Sequence, residues 1–576
     1  MPRFALLLTL GVCFGVGAAI PAQPPVPPKG PAAAPEPHVA WSMYGGTPGR
    51  NMVNHTDRDI LRNFNINQGL NIRWKAELGS RSYSQPVIAD GKVFVGANNA
   101  RPRNPRDRKP PTKDEPDGEP LDRCVLMCFD AATGKFLWQA VHDKLPSGIV
   151  NDWPNEGICS IPTVVGDRLY YVSNQCRVVC ADVNGFADGN QGVQTEKYKT
   201  ATDADFIWEF DMMKELKVFP HNMSTGCPLI IGDLLFVQTS NGVDEGHINI
   251  PSPDAPSFIC LNRHTGKLLW KDNSPGKDIM HGQWASPSYA AEPVPQVIFP
   301  GGDGWLRAFD PPTGKLLWKF DANHKNAVYE LGGTGDRSDF IAAPVVHDGR
   351  LYIGTGQDPE HSTGVAFFWC VDLANAVARG PTRNDRDVSP DLIDKVVKNP
   401  DGTKKIITKI NPASALAWSF GGEDTRRWAV RDFKFGRTLS TACVVGDVVY
   451  AAELHGWLHC LSAKTGKHYW QFDTKASIWG APYYVDGKVM LGTDNGELFV
   501  FRHDPKPEVL DELDFAAGTL KEARAERRAR RKQVEDKYLM FKLDFDAPIR
   551  GTPSVAGGVL YIATEKDLFA IGKPEQ

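Results

Sequence analysis

The 576-residue chain sets 65 Lys and Arg against 69 Asp and Glu, a net charge of −4, which gives no general case for a nucleic-acid or anionic-membrane partner. Its length exceeds one ordinary compact core, so it holds either several domains or one large repeat domain. With 54 Gly, 44 Pro and 10% aromatic residues, it suits many short strands joined by tight turns.

Residues 1–22 read as a secretory signal: Arg3, an apolar run over 4–19, then Ile20-Pro21-Ala22 ahead of a cut before Gln23. The run is short for a membrane span, and no later stretch is long and apolar enough to be one. A lipid anchor at Cys13 would need a small residue where Val12 stands. The mature chain is therefore expected to be exported, periplasmic or extracellular, with cell-envelope association left open. Residues 23–40 are Pro/Ala-rich and read as an extended linker. Residues 41–70 form an N-terminal extension. Its opening, WSMYGGTPGRN from Trp41, carries Gly and Pro as an ordered loop would, and is expected to pack on the domain.

From residue 71 to 573 the chain repeats itself. Each repeat opens with a small residue and Pro, an apolar run, a D-G or G-D turn and a second apolar run, a hairpin signal. The openings start at Gln85, Ile161, Cys227, Ser286, Ala343, Thr441, Ala481 and Thr552, those at Ser286 and Thr441 in variant form. Four repeats then carry x-x-x-x-T-G-K-x-x-W, in which Gly134, Gly266, Gly314 and Gly466 supply the positive φ that closes a turn. Trp138, Trp208, Trp270, Trp318, Trp418 and Trp470 close the first six repeats and are expected to dock neighbouring repeats on one another. The last repeat ends before its closing strand. IRWKAELG, with Trp74, precedes the first opening and supplies that strand. An array closed this way leaves no free sheet edge. The reading is all-β: an eight-bladed propeller of four-stranded antiparallel blades, closed by the N-terminal strand.

Insertions fall at 100–123, 185–205, 379–409 and 518–537. The first three are polar. The last has strong helix formers and no interior Gly or Pro; it is either a basic helix facing an acidic partner or a solvated helix held by close charge pairs. Cys128, Cys180, Cys260, Cys370 and Cys460 recur at one register, which argues for a small buried filler. The pairs Cys124/Cys128 and Cys176/Cys180 would lie roughly 13 Å apart along a strand, beyond disulfide reach.

The T-G-K-x-x-W stretch resembles the tryptophan-docking motif of pyrroloquinoline-quinone-like (PQQ-like) β-propellers, and the likeness runs from residue 71 to 572. That resemblance implies the fold and leaves the function open. Its branches include quinoprotein alcohol dehydrogenases, with PQQ and Ca²⁺ in a central funnel, the assembly protein BamB, a scaffold, and exported bacterial propellers to which this chain is most similar. The dehydrogenases carry adjacent bonded cysteines and a Glu, Asn and Asp at the metal. This chain has no adjacent cysteines, and no stretch matches the metal-ligand motifs well enough to assign a residue.

If the blades are placed as in the family, residues just before each opening face the funnel. This predicts a ring of Arg81, Glu156, His221, Asn222, His281, Trp284, Arg337, Asp339, Arg437, Trp479 and Arg550. Arg groups there could clamp carboxylates, the tryptophans stack on a flat ligand or sugar, and Glu156, Asp339, His221 or His281 act on protons. No one residue is singled out as catalytic. The leading expectation is a binding or scaffold protein, monomeric, using the funnel and loop surface for a protein, polymer or small molecule. The alternative is a PQQ- and Ca²⁺-dependent alcohol or sugar dehydrogenase. A third is a carbohydrate-active propeller with Glu156 and Asp339 as paired carboxylates.

Overall fold

The computed structural model describes residues 40–573 except 61–62, 67, 330–334, 358, 362, 401, 403, 430 and 511–517. The expected signal and linker residues 23–39 lie outside the described residues. Eight blades follow one another, with innermost strands Val87–Ala89, Thr163–Val165, Leu229–Ile231, Ser288–Ala290, Val345–His347, Cys443–Val445, Tyr483–Val485 and Ser554–Ala556. We number them 1 to 8. Blade 8 takes its outermost strand, Ile72–Glu77, from ahead of blade 1; it pairs antiparallel with Asp567–Ile571 and places Trp74 opposite Ala570. Blade 7 departs from four strands: Val53–Asn54 adds a fifth, parallel to Tyr483–Val485.

The recurring tryptophan has a recurring partner across the strand. Cys128, Cys180, Cys260, Cys370 and Cys460 face Trp138, Trp208, Trp270, Trp418 and Trp470. Ala308 faces Trp318. A small residue is needed opposite the indole, which explains the cysteine register as packing. Each of these blades, and blade 8 where Trp74 faces Ala570, also shifts register beside the pair. Such a bulge twists the outer strand and re-aims its side chain.

The re-aimed ring lands on the next blade. The indole N–H of Trp74, Trp138, Trp208, Trp270 and Trp418 donates to the carbonyl of Ala131, Val183, Arg263, Pro311 and Ala463, each in the following blade. The turn glycines lie under these rings: a Cβ on Gly134, Gly266, Gly314 or Gly466 would come within 2.5–2.7 Å of the neighbouring indole. All four also have φ between +67° and +71°. Glycine is required there twice over, by backbone conformation and by the close approach. Trp318 and Trp470, which face the insertions of blades 5 and 7, deviate. Trp318 donates to Gln296 of its own blade, and Trp470 stacks on Tyr538 with centroids 5.0 Å apart.

The N-terminal extension is an axial plug. Over residues 41–54 it bonds to the innermost strand, or the residues abutting it, of every blade. Trp41 pairs with Ile88, and Ser42, Pro48, Gly49 and Met52 accept from the backbone N–H of Val164, Tyr289, Val346 and Tyr484. Asn51 exchanges two bonds with Val444, and Asn54 donates to Val555. Arg50 is fully buried and donates to the carbonyls of Tyr44, Cys227, Pro228 and Pro287. The plug lets inner edges that lack a strand neighbour satisfy backbone groups.

The insertions are ordered where described. Within 100–123, buried Asp107 accepts from Arg123 and from Gln139 of the outermost strand of blade 1. The segment around 379–409 is more structured than polar composition alone suggests: a hairpin, Asp391–Lys398 with Lys404–Ile410, stands out from blade 5. The basic insertion is a helix, Leu520–Tyr538, opened by a capping box of Thr519 and Glu522. Arg530 bonds Glu526 and Arg531 bonds Glu535 at i,i+4 spacing, while Ala523, Val534 and Tyr538 are buried.

Candidate functional site

The segment leading into each innermost strand turns at the hub, so one register is repeated eight times around the axis. Four residues before each innermost strand stand Tyr83, Cys159, Thr225 and Trp284 in blades 1 to 4, then Ile341, Leu439, Trp479 and Arg550 in blades 5 to 8. All eight line a single cavity of about 350 Å³. Trp153, Glu156, Asn222, Met223 and Glu360 complete its wall.

One side of the wall is aromatic and cationic. Tyr83 and Trp479 lie 5.4 Å apart, and the Arg550 guanidinium stands over both rings, at 5.3 and 5.1 Å. Arg550 also bonds Asp494 at 2.6 Å, Glu565 at 2.6 Å and the Tyr83 hydroxyl at 3.0 Å. Burial opposes its charge, but Asp494, Tyr83 and Glu565 outweigh burial and hold it protonated. Its charge is thus already balanced within the protein.

Beside Tyr83 and Arg550, Glu156 is partly buried, and burial raises its pKa against the opposing pull of Arg81, Arg550 and a hydrogen bond with Tyr83. Its Oε2 is buried with no hydrogen-bond partner among the described residues, as is Trp479 Nε1. Asn222 holds a left-handed backbone, φ +56°, which turns its side chain into the cavity wall. Trp284 is fixed by its indole N–H, which donates to the carbonyls of His221 and Met223, both at 3.2 Å. Cys159 is a wall residue whose thiol burial, with the nearby Glu156 charge, pushes well above its ordinary pKa.

The expected ring divides accordingly. Glu156, Asn222, Trp284, Trp479 and Arg550 line the cavity. Arg81, His221, His281, Arg337, Asp339 and Arg437 are not among its lining residues. Arg81 pairs with Glu565 and Arg337 with Asp321, each at 3.0 Å. Arg437 is buried and donates to the carbonyls of His361 and Gly335. Asp339 bridges to Gly356, so Glu156 and Asp339 do not share the cavity as a carboxylate pair. His221 and His281 lie behind Trp284, with ring centroids 6.2 and 5.2 Å from it. Sequence reasoning passed over Cys159, Thr225, Ile341 and Leu439 because it looked for polar groups; counting four residues back from each innermost strand finds them.

Residues 403–505 match the protein family described as outer membrane protein assembly factor BamB. Three curated proteins are similar over parts of the chain. A polyvinylalcohol dehydrogenase of Sphingopyxis sp. is 32% identical over 108 residues, 18% of this chain and 16% of that protein. A tetrathionate hydrolase of Acidithiobacillus ferrooxidans is 24% identical over 229 residues, 37% of this chain and 40% of the relative. A quinoprotein ethanol dehydrogenase of Pseudomonas putida is 24% identical over 251 residues, 41% of this chain and 32% of the relative. The chain thus matches at most 40% of the length of these relatives.

Proposed function

We propose that this PQQ-like β-propeller is an exported binding protein whose funnel cavity takes a flat, uncharged, hydrogen-bonding organic molecule. One observation carries the reading. A single cavity joins an aromatic wall of Tyr83, Trp153, Trp284 and Trp479 to the polar side chains of Glu156, Asn222, Thr225 and Glu360. Tyr83, Trp153, Trp284 and Trp479 offer faces and edges to a flat ring. Asn222, Thr225 and Glu360 put hydrogen-bonding side chains in the same lining. Export rests on the apolar run over residues 4–19. Among the described residues, no helix is long and apolar enough to cross a membrane.

A PQQ- and Ca²⁺-dependent dehydrogenase is the alternative that the names of two relatives suggest. PQQ carries three carboxylates. The lining offers Glu156, Glu360 and one guanidinium already balanced by Asp494 and Glu565, so its charge does not fit that cofactor. The ten described cysteines are free thiols, so no bonded pair covers a quinone.

The test is thermal shift and tryptophan fluorescence with two probes. The neutral flat tricycle lumichrome is expected to raise Tm and quench fluorescence saturably, through Trp284 and Trp479. PQQ with Ca²⁺ is expected to do neither. Stabilisation by PQQ and Ca²⁺, together with dye reduction by ethanol, would establish the dehydrogenase instead.

A further inference from the structure

Behind the funnel wall, between blades 3 and 5, four histidines converge from four separate segments. His221 and His281 sit in the lead-in segments of blades 3 and 4, His247 in the loop between Leu234–Gln238 and Phe258–Asn262, and His361 in a short 3₁₀ turn, Pro359–His361. The rings of His221, His247 and His281 form a triangle with centroid separations of 4.4, 4.6 and 4.8 Å. His361 lies 4.6 Å from His281 and 5.9 Å from His247. One nitrogen from each of the first three lies within 4.8 Å of the other two.

We propose that His221, His247 and His281 form a binding site for a late first-row divalent ion, with zinc as the type case and His361 beside the fourth position. The donor set is imidazole without carboxylate or thiolate, which suits zinc, copper or nickel and not the hard ions calcium or magnesium. The site does not depend on what the funnel cavity binds.

Three features show a built arrangement. The Val243 carbonyl can only accept, so His221 Nδ1 donates to it at 2.9 Å, and the lone pair of that tautomer sits on Nε2. A backbone carbonyl on the other nitrogen is how a protein orients a ligating histidine. His247 is held at φ +56°, a costly conformation for a residue with a Cβ. Its loop is pinned by Asp244, whose carboxylate accepts from the N–H of Ile248 at 2.9 Å and of Asn249 at 3.2 Å. Gly242 lets the segments close: a Cβ there would lie 2.6 Å from both the His221 Cβ and the His281 carbonyl. Three nitrogens about 2.0–2.1 Å from one zinc at tetrahedral angles are roughly 3.3 Å apart. Loading therefore draws the rings together by movements on the order of 1 Å.

The experiment is calorimetric titration of the chelator-stripped full chain with Zn²⁺, with Cu²⁺ as a paramagnetic probe of the ligands. One ion per chain is expected, with nitrogen hyperfine structure from three imidazoles in the Cu²⁺ spectrum. His247→Ala and His281→Gln should each weaken Zn²⁺ binding by about 100-fold or more, beyond what loss of an outer-shell partner costs. His264→Ala, an exposed histidine paired with Asp233, should leave it unchanged. His247 is only partly buried, so its variant carries the test if His281→Gln does not fold. No saturable one-to-one binding by the unaltered chain, or binding unchanged in His247→Ala, overturns the proposal.

Discussion

The outer edge and the hub of this propeller use one repeat by opposite rules. At the outer edge the residues recur: tryptophan opposite a small residue, the ring laid on the glycine of the next turn. At the hub only the position recurs. Four residues before each innermost strand stand Tyr, Cys, Thr, Trp, Ile, Leu, Trp and Arg. A contact that must hold neighbouring blades at one angle tolerates one solution, so the sequence repeats it. On the proposed function, a wall that fits one asymmetric ligand needs different groups on each side, which would account for the variation there. The axial plug sides with the outer edge: it touches every blade and serves packing.

Breaking the plug should give the largest effect. Arg50→Ala removes the donor to four carbonyls, three of them in buried bonds, and truncates a fully buried side chain on the axis. A loss of about 3–5 kcal/mol is expected in chemical denaturation, the scale of stripping partners from buried groups and truncating a core side chain. Gly314→Val comes next. It puts a β-branched residue at φ +67° with its Cβ 2.6 Å from Trp270. About 2–4 kcal/mol should be lost, part from the left-handed backbone and part from overpacking. Val at the exposed turn Gly349, with φ +70° and no atom within 4 Å, meets the same backbone strain without the clash. The difference between the two variants isolates the indole contact. Equal losses would mean the ring is no part of the requirement.

Most of the outer edge was legible in the sequence because its physics is local and repeated. T-G-K-x-x-W shows the turn, the glycine and the ring within ten residues, and the offset of Trp74 shows the closure. The hub was legible only in part. Trp284, Trp479 and Arg550 stood out as large or charged, whereas Thr225 and Leu439 are ordinary residues that only the register assigns to the wall. Asp339 and Arg437 were expected in the ring from polar character near an opening, which does not fix the direction of a side chain, and neither is among the cavity's lining residues. Packing of the extension's opening on the domain was expected, but its course along the axis was hidden for a different reason: residues 41–54 make their bonds to strands up to 501 residues away, as Asn54 does to Val555. The histidine cluster joins His221 to a loop residue and to a turn in blade 5, a long-range meeting that no spacing announces.

Acid sensitivity should also belong to the blades and not to the hub. His142, on the outermost strand of blade 1, is buried against Tyr171, and burial pushes its pKa down to about 4. Its folded pKa thus lies below its unfolded value near 6.5. As pH falls from 6.5 towards 4 the unfolded chain takes up a proton that the native chain refuses, and stability drops by up to about 1.4 kcal/mol per pH unit. In blade 6 the buried Glu453 is held well below the usual carboxylate range: burial opposes this, and Arg431 and His459 prevail. Its stabilisation is present above the unfolded pKa and is lost as pH falls through the folded one, so it weakens below about 4.5. Denaturation series at pH 7, 6, 5 and 4 should show His142→Gln losing stability less steeply than the unaltered chain between pH 6 and 4. Identical slopes would remove His142 from the account.

The smallest effect on stability should accompany the largest effect on binding. Trp479→Leu and Thr225→Val change hub residues whose neighbours are cavity space and other lead-in segments, and both substitutions keep an apolar group at the wall. Each should shift stability by less than about 1 kcal/mol, as for substitutions away from core packing. Trp479→Leu removes both the ring beside Tyr83 and the buried indole N–H, so lumichrome should bind at least about tenfold more weakly, the worth of one hydrogen bond or one aromatic pair. Thr225→Val changes the wall by one hydroxyl and should fall between the two proteins. If Trp479→Leu instead destabilises the fold as Gly314→Val does, the hub packs like the outer edge, and variation among its eight residues reflects tolerance in packing and not the shape of a ligand.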